Sequence, residues 1–492
     1  MELYLTQIRP NLQRVLLLLV FVFLLTAAVT LNKPDVFYVM AIFFSLFFFF
    51  RDLLWLAPAL ALPALTLGEA LKFELTPYWN YEYTLAEALL ALALGVFLLD
   101  KFLNQGSRRV SPVRNSRGIL NFAGVIQSSD GLIPLGESAN ISNGVKFDRL
   151  GFFLLAYFAL AAASFWQVVD LHYYLFGLKA IFFSFAGYLL AVNLIDTKAK
   201  LRVFLYSLTA ALLILSLQVF FKFYQLGFSE KFFFERKLIT LPLGPLATVA
   251  SIITLLLPVV FVFFLAEKKI QAKAVILPVF CFGLFALFVT LGKAAILASL
   301  VAFAYLFMRL KKVRPYFLAA LVVGAVLGAV FLAPLASGLI TRVKTTFIDT
   351  NTQFRVLEYK TAGTLIAEHP IFGVGAGQQL HYFKQLLNFD TSELVNNFFL
   401  QALIDFGLLG FAGAMMIFWS LASKAGQIGR QTRSSGGQAG GTASIYACGL
   451  IAMLLASVVT GMLEVTFFAL PYAIIFWPTA GALMNLKNYD LI

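Results

Sequence analysis

Fourteen apolar runs succeed one another along this chain, near 15–31, 35–50, 52–69, 84–103, 150–169, 173–195, 202–223, 243–266, 274–291, 294–310, 316–338, 397–422, 443–463 and 466–485. Crossing ~30 Å of hydrocarbon takes about 20 predominantly apolar residues. The runs therefore specify an all-α, polytopic transmembrane helix bundle of about 12–14 spans. Composition agrees: 61% of the 492 residues are hydrophobic and only 12% are charged, against roughly 25% charged in soluble domains. Only Arg51 and Asp52 divide the second and third runs, so a hairpin re-entering from one side fits there as well as two spans. Further spans follow the first run, so it reads as a retained helix rather than a cleaved signal.

The net charge of +13 would suggest nucleic acid in a soluble protein. Here it reads as the basic bias of cytoplasmic loops, and no nucleic-acid partner is expected. With the N-terminus inside, the inner segments carry Arg9 and Arg14; Arg108, Arg109, Arg114 and Arg117; Lys198, Lys200 and Arg202; Lys268, Lys269 and Lys273; Lys311, Lys312 and Arg314; and Lys424, Arg430 and Arg433. Both termini are then cytoplasmic, and residues 339–396 lie outside. The chain divides into N-terminal spans (1–103), a flexible cytoplasmic loop (104–148), central spans (149–338), an extracytoplasmic loop (339–396) and C-terminal spans (397–492). Residues 104–148 and 423–442 are rich in small polar residues and too poor in apolar ones to bury a core. The aromatic segments at 77–83 and 166–174 suit interfacial anchors. Cys281 and Cys448 both lie inside apolar runs and indicate neither a disulfide framework nor a metal site.

The outer loop gathers the chemistry. It holds Arg342, Lys344, Arg355, Glu358, His369, the run Gly373-Val374-Gly375-Ala376-Gly377, His381, Glu393 and Asn396-Asn397. Phe354, Leu357, Thr361 and Leu365 recur at helical spacing. That helix stops near His369, because Pro370 disfavours helix for its predecessor. A second short helix is expected over residues 378–387. Glycines opening a helix can hold an anion on backbone N–H groups or form a tight packing turn; both readings stand. Glu358, one turn after Arg355, reads either as its i,i+3 ion-pair partner or as a proton-transfer group, and Glu393 as a solvated rim charge. Outside the loop, Lys293 interrupts an apolar stretch, a costly position that marks a functional candidate or a lysine snorkelling from a helix end. Arg236 and Lys237 also fall on the outer side.

Several segments in this order resemble a known family. They are Thr-Leu-Gly-Lys-Ala-Ala at 290–295, Arg-Val-Leu-Glu-Tyr at 355–359, Ala-Glu-His-Pro-Ile-Phe-Gly-Val-Gly-Ala-Gly at 367–377 and Val-Asn-Asn-Phe-Phe-Leu-Gln-Ala-Leu-Ile-Asp-Phe-Gly-Leu-Leu-Gly at 395–410. Together they are similar to the O-antigen ligase and polymerase superfamily over roughly 235–420. The resemblance implies a bacterial inner-membrane enzyme, with the bilayer as its setting. It would transfer an undecaprenyl-diphosphate-linked glycan to an acceptor lipid or glycan, without metal or cofactor. Arg355 falls on the family's loop arginine, and Lys293 stands where an arginine is usual. Arg236 is a third cation suited to the diphosphate. Asn396 occupies the position of the usual histidine, so the proton acceptor is to be sought among Glu358, His369 and His381. Gly373, Gly375, Gly377 and Asn397 would position the loop. A polymerase and a ligase both fit, and a transporter of an anionic solute or lipid-linked glycan is the alternative.

Overall fold

The computed structural model describes residues 53–66, 72–74, 82–105, 145–226, 239–310, 314–315, 350–387, 395–434 and 442–485 except 465 and 468, with two isolated positions besides. The expected spans at 15–31 and 35–50, most of that at 316–338, and Arg236, Lys237, Arg342, Lys344 and Glu393 lie outside the described residues. Helix α1 (Leu56–Thr66) and helix α2 (Leu85–Gln105) are separated by the antiparallel pair β1 (Lys72–Glu74) and β2 (Glu82–Thr84). Helix α3 (Arg149–Ala163) runs into a 3-10 turn (Ser164–Gln167), followed by α4 (Leu171–Leu194) and α5 (Lys198–Gln225). A two-residue hairpin, β3 (Thr240–Leu241) and β4 (Gly244–Pro245), leads into α6 (Leu246–Ala266), α7 (Ile270–Thr290) and α8 (Lys293–Arg309). Next come α9 (Thr350–Glu368), α10 (Gln379–Leu387), α11 (Phe398–Ser434), α12 (Thr442–Gly461) and α13 (Leu470–Met484).

Among the described residues, seven helices are long and apolar enough to cross a membrane: α3 with its 3-10 turn, α4, α5, α6, α7, α11 as far as Ile428, and α12. The protein is an all-α polytopic bundle, as the apolar runs specify. Helix α6 is its axis, with apolar residues on every side and nearly all of them buried. A helix that is hydrophobic all round belongs in the interior of such a bundle. Helix α1 has only eleven residues, shorter than the run at 52–69 suggested. The soft segment expected at 423–442 begins later than its composition implied, because α11 continues to Ser434. Ala425 and Ile428 are buried and Lys424 is tied down, so that turn has apolar and ionic reasons to stay helical.

The two ends of the bundle differ in charge chemistry. At one end Asp148 and Glu267 each take a cation from another helix, while Asp196 takes Lys200 four residues on, at 2.7 Å. Asp148 caps α3 by accepting from Gly151 N at 2.8 Å, and also accepts from Tyr188 Oη of α4 at 2.7 Å and from Lys424 Nζ of α11. Glu267, at the end of α6, pairs with Arg202 of α5 at 2.7 Å and accepts from the N–H groups of Lys268 and Lys269. Burial raises the Asp148 carboxyl, but Lys424, Gly151 and Tyr188 together outweigh it and hold the group below its ordinary value. Glu267 is held low in the same way against burial, by the Lys269 N–H and Arg202. The opposite end carries α9, α10 and the polar residues between them.

Asp148 joins three helices, so Asp148→Ala should cost about 1–3 kcal/mol through the lost cap and the unpaired donors it leaves, seen as a lower melting temperature in detergent. A depressed carboxyl stabilises fully above its unfolded value near pH ~3.9. That contribution should therefore vanish as pH falls below about 4, and the Ala variant should lack that part of the acid sensitivity.

Candidate functional site

Helix α9 begins at Thr350 and stops at Glu368, with His369 N still bonded back to Leu365 O at 2.9 Å. Its buried stripe is Glu358, Thr361, Ala362 and Leu365. Leu357, expected in that stripe, is exposed instead. The register turns so that Glu358, fully buried, meets the Asn396 amide, whose Nδ2 lies 3.2 Å from both carboxylate oxygens. The expected Arg355–Glu358 ion pair is likewise replaced. Arg355 reaches Glu464, just beyond α12, at 3.1 Å. Ala362, Leu365, Val374, Phe383, Val395 and Ile404 close a small apolar cluster of their own beneath α9 and α10, so the outer segment is a packed cap.

The glycine run is the joint between this cap and the membrane bundle. Helix α11 is broken at Gly407, where φ is 60° and ψ is −154°. The chain from Pro370 to Gly375 fills the break. Val374 N donates to Ile404 O and Gly375 N to Asp405 O, both at 2.8 Å, while Leu408 N donates to Pro370 O at 2.8 Å and Leu409 N to Ile371 O at 3.3 Å. The last carbonyls before the break and the first N–H groups after it are thus satisfied by one inserted turn. Glycine is required on both sides of the contact. Gly373 has φ 68°, and a Cβ there would lie 2.4 Å from Ile404 O; one on Gly407 would lie 2.3 Å from the Ile371 carbonyl carbon.

Further contacts lock the turn to the segment between α3 and α4. Ala376 N donates to Ser164 Oγ at 3.1 Å, and Gln167 Nε2 to Gly373 O at 3.0 Å. The buried Gln378 accepts from Val169 N and Asp170 N and donates to Asp170 O, all within 3.0 Å. The N–H groups of residues 373–376 and 378 are therefore committed inside the protein. Of the two readings of the glycine run, the packing turn is the one its geometry expresses. The short helix that follows starts at Gln379, one residue later than expected.

Two further groupings complete this end. His369 and His381 flank one ring, Tyr382, at 6.5 and 5.7 Å between centroids. His369 is exposed, and His381 Nε2 stands 2.9 Å from Gln385 Nε2. Asn397 caps α11 through Oδ1, accepting from Phe399 N and Leu400 N at 2.9 and 3.2 Å, and donates to Met462 O at 3.1 Å. It thereby fixes the neighbouring Asn396. Lys293 is the exposed first residue of α8, after Leu291 in the left-handed region and Gly292 packed on Ala250 of α6. A cation at a helix N-terminus opposes the dipole by about 0.3–1 kcal/mol. The same N-terminal N–H groups attract an anion, and a lysine there adds to the pull.

The structure therefore joins Glu358 to Asn396, Arg355 to Glu464 and the two histidines to Tyr382, while Lys293 stands on a separate helix pair. Reasoning from sequence missed Glu464, Ser164, Gln167, the locking role of Gln378, and Asp405, which is 5% exposed within α11. Only Asp405 carried a signal, as an acid inside an apolar run.

A family described as O-antigen ligase matches residues 278–415, from α7 through the glycine turn and past the break in α11. This segment is similar to an O-antigen ligase domain. It contains Lys293, Arg355, Glu358, both loop histidines, the three turn glycines and Asn396-Asn397, but not Arg236. No curated protein matches the chain significantly. Over that segment the chain is similar to O-antigen ligases, and together with its membrane-crossing helices this supports a membrane function of the O-antigen ligase and polymerase type.

Gly407→Val places a branched side chain where backbone already stands, with φ in a region closed to it. The variant should lose at least ~3 kcal/mol of stability, and proteolysis should open the segment between α9 and α11. Gly363→Ala, with no atom within 4 Å of the added methyl, should do neither.

Proposed function

We propose that the chain is a membrane glycosyltransferase that moves a polyprenyl-diphosphate-linked glycan onto a cell-envelope acceptor at the outer face of a bacterial inner membrane. What carries this reading is a coincidence. The stretch similar to O-antigen ligases includes the whole polar cap that sits on one end of an otherwise apolar bundle. In the reaction, an acceptor hydroxyl oxygen bonds to the glycan's anomeric carbon as the bond from that carbon to phosphate oxygen breaks. The electron pair leaves on the lipid diphosphate, so the site's main task is to stabilise that charge. Arg355 and Lys293 suit it: both are at least partly exposed, and Arg355 is pre-set by Glu464. Arg236 stays a third candidate. The hydroxyl proton goes to a base; Glu358, oriented by Asn396, is our first choice, ahead of His369 and His381.

One observation favours the alternative of a transporter. Broken helices near a buried charge are a transporter device, and α11 is broken beside Asp405. Yet four backbone hydrogen bonds and the Gln378 lock close that break, which supports a fixed scaffold over a moving gate.

Orientation is tested with single cysteines at Thr364 and Lys269, both exposed and on opposite ends. A membrane-impermeant thiol reagent applied outside the inner membrane should label Thr364→Cys and spare Lys269→Cys. The reverse pattern would place the cap in the cytoplasm and end this reading.

Transfer itself is followed in membranes with a labelled lipid-diphosphate glycan, normalised to protein. Arg355→Ala should cost ~10²–10³ in rate, or about 2–4 kcal/mol of barrier. Glu464→Gln, which removes only a partly exposed pair worth about 0–1 kcal/mol, should keep at least a tenth of the rate. Lys293→Gln should be inactive and Lys293→Arg active, because a guanidinium meets phosphate oxygens bidentately. Equal effects of Arg355→Ala and Glu464→Gln would make Arg355 a structural cation, and uptake without a covalent product would favour transport.

A further inference from the structure

Beneath the glycine turn lies a cavity of about 250 Å³, lined by α3, α4, α6 with the segment that enters it, α11 and α13. Its walls are mainly apolar, with Phe176, Ile181, Leu243, Phe398 and Leu470 among them. Two polar side chains of α11, one helical turn apart, interrupt this lining: Gln401 and Asp405. Asp405 is 5% exposed. Its Oδ2 receives Gln379 Nε2 at 3.5 Å, and the Gly377 N–H and the Gln401 amide also face the carboxyl. Its Oδ1 has no hydrogen-bond partner among the described residues, and neither has Gln401 Oε1. Both orphaned atoms are acceptors. Among the described residues, no lysine, arginine or histidine lines the cavity.

A buried acceptor without a donor costs about 1–3 kcal/mol, more when it is charged, and such groups ordinarily find a partner. The other polar side chains of the lining, Tyr157, Thr248, Ser251 and Tyr472, carry hydroxyls, so two unpartnered acceptors side by side on a mainly apolar cavity form the complement of one kind of ligand. We propose that this cavity is a binding site for a small amphipathic molecule or lipid segment with an apolar body. An ammonium group would donate to both Asp405 Oδ1 and Gln401 Oε1, and a hydroxyl to one of the two. At ~30 Å³ per water-sized unit, the volume suits a body of about eight carbons. The site is separate from the cationic and acidic groups of the cap. Asp405 also touches Gln379, whose Oε1 receives Val395 N at 3.4 Å beside Asn396, so an occupant would sit one side chain away from the residues that position the cap.

The test is photolabelling of the purified full-length protein in nanodiscs with diazirine-bearing octanol and, in parallel, diazirine-bearing octylamine, with adducts mapped by peptide mass spectrometry. Adducts should concentrate on peptides of α4, α11 and α13 that carry Ala180, Ala402 and Ala469, and the unlabelled compound should compete. Stronger labelling by the alcohol identifies a hydroxyl as the preferred head group, and stronger labelling by the amine an ammonium. Ala402→Phe, which fills the cavity, should lower labelling at least tenfold, as should Asp405→Leu, which removes the anchor. Ala180→Leu replaces Ala402→Phe if that variant does not melt like the parent protein. Labelling spread evenly over the lipid-facing helices, or indifferent to competitor, overturns the proposal. So does labelling that the filling variant blocks but Asp405→Leu leaves unchanged, since the pocket would then have no polar anchor. Because binding is read without any glycan, failure here is distinct from failure of the proposed transfer.

Discussion

A helix broken inside a membrane exposes backbone groups that water cannot reach, each at a cost of several kcal/mol. Helix α11 is broken at Gly407, and the turn from Pro370 to Gly375 supplies the missing partners on both sides. This splice is the constraint on which the rest depends. The turn could not hold its left-handed glycines against the bundle without the gap to enter, and the gap could not persist without the turn. Once joined, they fix where α9 ends, where α10 begins and how the cap sits on α3 and α4.

The splice also separates two electrostatic environments. At the far end, acids and cations from different helices are matched, as Asp148 is with Lys424 and Glu267 with Arg202, and they serve as clamps. Within the cap, Glu358 and the two histidines have neutral neighbours. Glu358 is met by an amide, and the two histidines by a phenol ring. Arg355 has an acid partner, but the pair is partly exposed, where competition with an arriving anion costs little. An end built in this way could exchange partners with the lipid diphosphate proposed above without dismantling the scaffold.

Much of this architecture was legible in the sequence because it is local. Runs of hydrocarbon length give the helices, Pro370 gives the end of α9, and basic segments give the charged end. The segments quoted at 290–295, 355–359, 367–377 and 395–410 lie within the matched domain. The pairings were not legible, because they join residues far apart in the chain. Glu464 lies 109 positions from Arg355, and Gln378 lies 208 from Asp170. Nothing in the i,i+3 spacing of Arg355 and Glu358 reveals that each turns to a different partner. The break in α11 was hidden for another reason: a glycine within an apolar run reads as helix packing as readily as a break.

The splice is tested most directly by hydrogen exchange on the full-length protein in nanodiscs, read at Val374, Gly375, Leu408 and Leu409. If the inserted turn and the broken helix are one unit, these four amides exchange together and slower than an open chain by a factor on the order of 10³ or more, about 4 kcal/mol of local opening. Exchange of Val374 and Gly375 at loop rates, with Leu408 and Leu409 protected independently, would contradict it and leave the cap without its joint to the membrane.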